Sequence, residues 1–259
     1  LKPFKMKIAT CFLGLLLGVG SLNVVQPVER PQIMARKPHD DMAFTQGLLI
    51  DGENWLESTG LYGQSELREV ERKTGKVLRR LALPEDQFGE GLALLDGKLY
   101  QLTWRAGICR VIDRKTFTLI EELKYEGEGW GLASDGKLLY LSDGSGVIRV
   151  MDPETFKEQR RIRVHGNRGG VEGLNELEWV EGELWANIFG SSMIVRIRPR
   201  DGKVLGFIDL RHLPIVMDQR PEQDVLNGIA RDPETGEIWV TGKLWNAVYR
   251  IQWPPENRQ

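Results

Sequence analysis

The chain has 259 residues, 41% of them hydrophobic and 28% charged, with a formal net charge of −2. That composition suits a globular protein with a sizeable core, and no basic stripe marks a nucleic-acid partner. Its 29 glycines and eight tryptophans suit an all-β chain with many turns.

The N-terminus stands apart from the rest. Lys2, Lys5 and Lys7 precede the apolar run from Ile8 to Leu22, and a polar, proline-containing stretch, Asn23 to Pro31, follows. This layout predicts a secretory signal over residues 1–26, cleaved between Gly20 and Gln26, with an uncleaved anchor as the alternative. Cys11 lies in that segment, which leaves Cys109 alone and without an internal disulfide. An exported protein, periplasmic or secreted, is the expectation.

From residue 31 onward the chain repeats itself. GLLIDGENWLESTG begins at Gly47, GLALLDGKLYQLTW at Gly91 and GLASDGKLLYLSDG at Gly131; ELEWVEGELWANIF begins at Glu176 and GIARDPETGEIWVTGKLW at Gly228. Each is an apolar strand, a glycine-containing turn and an alternating strand. The clearest turn is Asp96-Gly97, a pair that favours a tight hairpin because both positions take φ > 0. A third strand follows in every copy: SELREVER, GICRVIDR, GVIRVMDP, MIVRIRPR and AVYRIQWP. Their alternation of apolar and charged residues predicts one buried face. A fourth strand follows in four copies only: KVLRRLAL, TLIEELKY, KEQRRIRV and KVLGFIDL.

The fifth copy lacks its fourth strand, and Pro31 to Pro38 is a strand without a hairpin. The spare strand is expected to pair antiparallel with Val248 to Trp253 as the outer edge of the last unit. Four-stranded units of about 40–50 residues describe a β-propeller. The fold predicted is therefore all-β: one five-bladed propeller over residues 31–259, its ring closed by an N-terminal outer strand.

In a propeller the first strand of each blade lines the central channel. Residues just ahead of the repeated apolar run then converge at one mouth: Gln46, Glu90, Trp130, Asn175 and Asn227. The second strands end in Thr59, Trp104, Asp143, Phe189 and Lys243. Apolar positions repeat around the ring while these rim positions diverge, which points to a site rather than to structure alone. Taken singly, a glutamate between glycines is more often a solvated loop residue, and a propeller tryptophan more often packs between blades. His39, His165 and His212 lack metal-ligand spacing, and no nucleophile elbow or phosphate loop occurs.

In order, PHDDMAFTQGL, STGLYGQSELR, FGEGLALLDGKLYQLTW, GWGLASDG with LSDGS, NELEWVEGELWANIF, and LNGIA with VTGKLW run along nearly the whole chain. With them the sequence resembles the glutaminyl-peptide cyclotransferases of the plant and bacterial type, which are five-bladed propellers. The resemblance implies Glu90, Lys243 and Asn175 as catalytic residues. Phe44, Gln46, Phe88, Trp104, Trp130 and Phe189 become the substrate-binding set. Phe189 stands where a tryptophan is common, and Asp41 replaces a usual proline. No cofactor or metal is implied. The expected partners are peptides or proteins with N-terminal glutamine, the protein a monomer with no membrane contact beyond the N-terminal segment.

The implied chemistry is attack of an N-terminal glutamine's α-amine on its own side-chain amide, giving pyroglutamate and ammonia, with Glu90 shuttling the proton. Two other readings compete. A metal-dependent lactonase-like propeller would use Glu90, Asn175 and Asn227, although a lysine beside the ion disfavours it. A non-catalytic peptide-binding propeller would bind without turnover.

Overall fold

The computed structural model describes residues 26–217 and 225–254; the predicted signal segment, including Cys11, lies largely outside them. Five four-stranded antiparallel units follow one another around the ring. Blade I comprises Thr45–Asp51, Asn54–Thr59, Glu66–Glu71 and Val77–Ala82. Blade II comprises Gly89–Leu95, Lys98–Thr103, Ile108–Asp113 and Thr118–Lys124. Blade III comprises Leu132–Ser134, Leu139–Leu141, Val147–Met151 and Glu158–Arg163. Blade IV comprises Leu174–Val180, Glu183–Ile188, Met193–Ile197 and Val204–Asp209. Blade V takes Leu226–Arg231, Ile238–Gly242 and Ala247–Ile251, with Ile33–Pro38 as its outer strand.

The closing strand pairs antiparallel, Ile33 opposite Ile251 and Pro38 opposite Ala247, as the spare-strand argument requires. A second contact was not foreseen. Val28–Glu29 runs parallel to the outer strand of blade IV, Val28 opposite Phe207, and Phe207 N–H donates to the Pro27 carbonyl at 2.8 Å. Two residues beside a proline carry too little pattern to read as a strand. The segment ahead of the propeller thus lies along one blade edge and completes the next. Deleting residues 1–38 exposes two edges and is expected to remove on the order of 5 kcal/mol or more, most of a domain's stability. Thermal unfolding against the full chain checks this.

The apolar residues collect into five wedges, each between neighbouring blades. Leu56 and Leu67 of blade I meet Leu92, Leu99 and Ile112 of blade II, while Trp55 and Val70 of blade I meet Ala230 and Trp239 of blade V. Consecutive residues point to opposite faces of a strand, so Trp55 and Leu56 serve different wedges. Both faces of each blade are therefore buried near the axis.

This corrects the expectation for the third strands. Their charged positions are not an open face: Arg68, Arg110, Arg149 and Arg196, one per blade at the same place, are all buried. Each has a polar partner. Arg68 pairs with Glu57 and Asp40, Arg110 bonds Gln101, Arg149 pairs with Glu158 and Arg196 with Glu183. Arg250, the fifth, is half-buried and pairs with Glu237. Alternation of apolar and charged residues looks the same in sequence whether the charge meets water or a partner on the adjacent strand.

Cys109 is fully buried in the wedge between blades II and III with Leu102, Val111 and Leu139. Burial, with the charge of Glu121 adding, pushes its thiol well above the usual range, which suppresses the reactive thiolate. Cys109→Ala is expected to cost about 1 kcal/mol and to leave turnover intact, which thermal melting and a rate measurement check.

Candidate active site

Inner strands approach closely where the repeat carries glycine. A Cβ on Gly91 would lie 2.4 Å from the Leu132 nitrogen, so blade II presses against blade III and Gly91 N–H donates to the Trp130 carbonyl at 2.7 Å. That contact sets Glu90 beside Trp130. The Asp96-Gly97 turn forms as expected, φ 49° and 72°. The far end of its hairpin is closed by Trp104 N–H donating to the Phe88 carbonyl at 2.9 Å. Glu176 replaces the glycine in blade IV; its buried carboxylate accepts the Ile229 N–H of blade V at 3.0 Å, which makes it a strut in the channel.

At one mouth of the channel lies a cavity of about 340 Å³ lined by Phe44, Gln46, Phe88, Glu90, Trp104, Trp130, Asn175, Phe189 and Lys243. All nine residues implied by the family resemblance line it, seven of them rim positions of the repeat. Three other rim positions do not. Thr59 is buried with its hydroxyl on the Glu66 carbonyl. Asp143 caps its own turn through Ser145 N–H and faces a separate crevice. Asn227 lies one layer behind. Of the rival carboxylates, Glu172 is exposed and Glu176 is the channel strut.

The walls are aromatic. Phe88 stands edge-on to Phe44, Trp104 and Tyr62, with ring centroids 6.1, 5.6 and 5.4 Å away. Trp130 meets Phe189 at 5.5 Å and lies against Gly144, where a Cβ would come within 2.8 Å of the indole and φ is +81°. Phe189 is 55% exposed, whereas Glu90 and Lys243 are each 5% exposed. The rim is therefore open at Phe189 and the charged groups sit at the floor.

The polar floor has a defined orientation. Asn227 Nδ2 donates to the Thr45 carbonyl at 2.9 Å, an atom that can only accept, so its amide cannot be reversed. The same nitrogen donates to Gln46 Oε1 at 3.0 Å, and Gln46 Nε2 then donates to Glu90 Oε1 at 3.0 Å. Burial raises the Glu90 carboxyl well above its ordinary value; Lys243 opposes this and Glu128 adds to it. Burial lowers the Lys243 ammonium, against the pull of Glu90. Its Nζ lies 4.8 Å from the Phe44 ring centre and 5.7 Å from that of Phe189.

Phe44 and Lys243 come from opposite ends of the chain, and a buried ionic cluster joins the loops that carry them. Glu57 accepts from Arg68 Nε at 2.8 Å, from Thr45 Oγ1 at 2.6 Å and from His39 Nε2 at 2.9 Å. The other ring nitrogen of His39 meets the Trp245 carbonyl at 2.6 Å. Both partners of the ring only accept, so both nitrogens carry protons and His39 is an imidazolium. Burial works against that charge, but Glu57 and the Trp245 carbonyl together outweigh it and the His39 pKa is raised. Leu244 N–H also donates to the Ala43 carbonyl at 2.7 Å, which ties the turn holding Lys243 to the loop holding Phe44.

One residue of the site was not legible in the repeat. Glu128, in the link between blades II and III, accepts both indole N–H groups of Trp104 and Trp130. It has no counterpart in the other links, and although Trp130 is its near neighbour in sequence, Trp104 reaches it only once blades II and III assemble.

A cavity of this size, carbon-walled, with a carboxylate and an amine at its floor, suits a short polar side chain attached to an amine. The comparisons with known proteins agree in family. A family model described as glutamine cyclotransferase matches residues 8–253. The glutaminyl-peptide cyclotransferase of Arabidopsis thaliana is 42% identical over 236 residues, 90% of this chain and 74% of that protein. The crystal structure of Myxococcus xanthus glutaminyl cyclase superposes with a TM-score of 0.82 at 34% identity, covering 88% of this chain and 98% of that one. The chain belongs to the glutamine cyclotransferase family.

Proposed function

We propose that this protein cyclises the N-terminal glutamine of peptides and proteins to pyroglutamate and releases ammonia. The observation that carries the reading is a buried carboxylate, Glu90, sharing a small aromatic cavity with a buried amine, Lys243.

Trp104, Trp130 and Phe189 confine the three-carbon arm of the substrate, so that its α-amine is held near its own amide carbon. Because the reaction is intramolecular, such confinement supplies much of the rate. The amine nitrogen attacks the side-chain carbonyl carbon and passes its proton to Glu90. Burial raises the proton affinity of Glu90 above that of an ordinary carboxylate, which makes it a stronger base toward the attacking amine. Lys243 and Asn175 hold the negative oxygen that forms, and Gln46 Oε1 accepts from the amide nitrogen. Glu90 then returns the proton to that nitrogen, the carbon–nitrogen bond breaks and ammonia leaves. The ammonium of Lys243 on the same floor disfavours a divalent cation there.

The lysine-led apolar run before residue 23 supports export to the periplasm or beyond as the setting for this reaction. The test is incubation with a glutamine-initiated peptide, with and without a chelator, followed by mass spectrometry. Loss of one ammonia regardless of chelator is expected. Loss of activity on chelation would select the lactonase-like reading, and binding without turnover the peptide-binding one.

A further inference from the structure

Trp104 directly follows the second strand of blade II, and Trp130 leads into the first strand of blade III. The two walls of the cavity thus belong to separate sheets. Glu128 spans the gap. Its Oε2 accepts Trp104 Nε1 at 2.7 Å and Trp130 Nε1 at 2.9 Å, while its Oε1 accepts Arg105 Nε at 2.9 Å. The Arg105 guanidinium lies 3.8 Å over the Trp104 ring, a cation–π contact. Glu128 itself does not line the cavity. An exposed Arg–Glu pair on its own contributes little, and it would not need both indoles on one oxygen.

We propose that Glu128 is a positioning residue of the substrate site. One carboxylate clamps Trp104 and Trp130 at the separation that grips the glutamine side chain and turns both N–H groups away from it. This rests on the cyclase reading. With the indole nitrogens engaged outside the cavity, both walls present carbon alone. The substrate amide then meets its polar partners on the floor, at Gln46, Glu90, Asn175 and Lys243, which selects the pose that brings its carbon toward the amine. Burial raises the Glu128 pKa, but donors from Trp130, Arg105 and Trp104 bring it below the ordinary value.

Two variants separate geometry from bulk. Glu128→Ala removes the acceptor; Glu128→Gln keeps one oxygen able to receive both indoles. A hydrogen bond to a charged group is worth about tenfold or more in an equilibrium constant, so E128A is expected to raise KM for a glutamine-initiated peptide about tenfold with a much smaller change in kcat. E128Q is expected to recover most of that loss. Nuclear magnetic resonance of the indole protons gives a readout that does not depend on turnover. In the unaltered protein two indole N–H signals are expected downfield and slow to exchange, both moving in E128A and both largely kept in E128Q. The proposal is overturned if E128A keeps KM within about twofold, well short of that hydrogen bond, or if KM rises while the indole signals stay put. It is equally overturned if the two indoles in the unaltered protein exchange like free ones, a result that needs no variant to fold. Absence of turnover by the unaltered protein would instead defeat the cyclase reading and leave the indole measurement standing.

Discussion

Glu90→Gln is expected to lower kcat by about 10²–10⁴-fold, the usual contribution of a general acid–base group, while substrate-analogue affinity stays near that of the unaltered enzyme. Glutamine nearly matches the shape of glutamate and can still meet Gln46, but it cannot carry the proton from amine to leaving nitrogen. Among the described residues no other carboxylate lines the cavity. The pH profile carries the same information with a definite sign. Burial first, with Glu128 adding and Lys243 opposing, places the Glu90 pKa well above 4.5. Ionised Glu90 receives the amine's proton, so kcat is expected to fall as pH drops through that raised value, above the ordinary carboxylate range. In Glu90→Gln this acid limb disappears from the residual rate. Steady-state rates across pH, with the fold verified by circular dichroism, check both statements; turnover within a few-fold of wild type would reassign the shuttle.

Glu57→Gln is expected to cost about 3–5 kcal/mol, because it leaves the buried His39 cation without its counter-charge and takes from Arg68 its most buried carboxylate partner, leaving Asp40 and Glu66. For a chain of this size that is roughly 6–20 °C in Tm. The pH dependence follows from the shifts. Burial opposes ionisation of Glu57, but Arg68 and His39 dominate and hold its carboxyl far below the ordinary value of 4.5. Its contribution is therefore complete above the unfolded pKa and is lost as pH falls toward the folded one. His39 is raised above 6.5, so its contribution is complete below the unfolded pKa and is lost as pH rises through the folded one. The cluster stabilises most between those limits, and Tm measured against pH should show a plateau there that Glu57→Gln removes. Because the cluster ties the Phe44 loop to the Lys243 turn, the variant is also expected to lose affinity for substrate before it unfolds.

Much of this architecture is legible in the sequence for a plain reason: a propeller repeats its local rules. Asp96-Gly97 announces a hairpin without knowledge of the rest, and five such hairpins in series leave few arrangements. The spare strand at Pro31–Pro38 and the missing strand after Ile251 point to each other. Seven of the nine cavity residues follow because equivalent positions in a ring converge on one mouth; Phe44 and Phe88 come only from the family resemblance. What stayed hidden depends on pairing across the repeat. Arg68 and its four counterparts look solvated in an alternating strand, yet their partners come from neighbouring strands, links or, for Asp40, the loop before blade I. Glu128 sits in a glycine-flanked link that matches no other copy. Asp143 and Thr59 occupy the right place in the repeat, but their side chains are satisfied within their own turns and blades. Position in a ring selects candidates; only the side chain's nearest partner decides whether it faces the cavity.

The central claim is that the nucleophile is the substrate's own amine and not water. The direct measurement is to run the reaction on a glutamine-initiated peptide in water labelled with heavy oxygen and to weigh the product. Cyclisation keeps the original carbonyl oxygen, so the expected product has lost one ammonia, carries no label and has a blocked N-terminus. A product with a free N-terminus and one heavy oxygen would mean that water attacks the amide and leaves glutamate, and it would contradict the account.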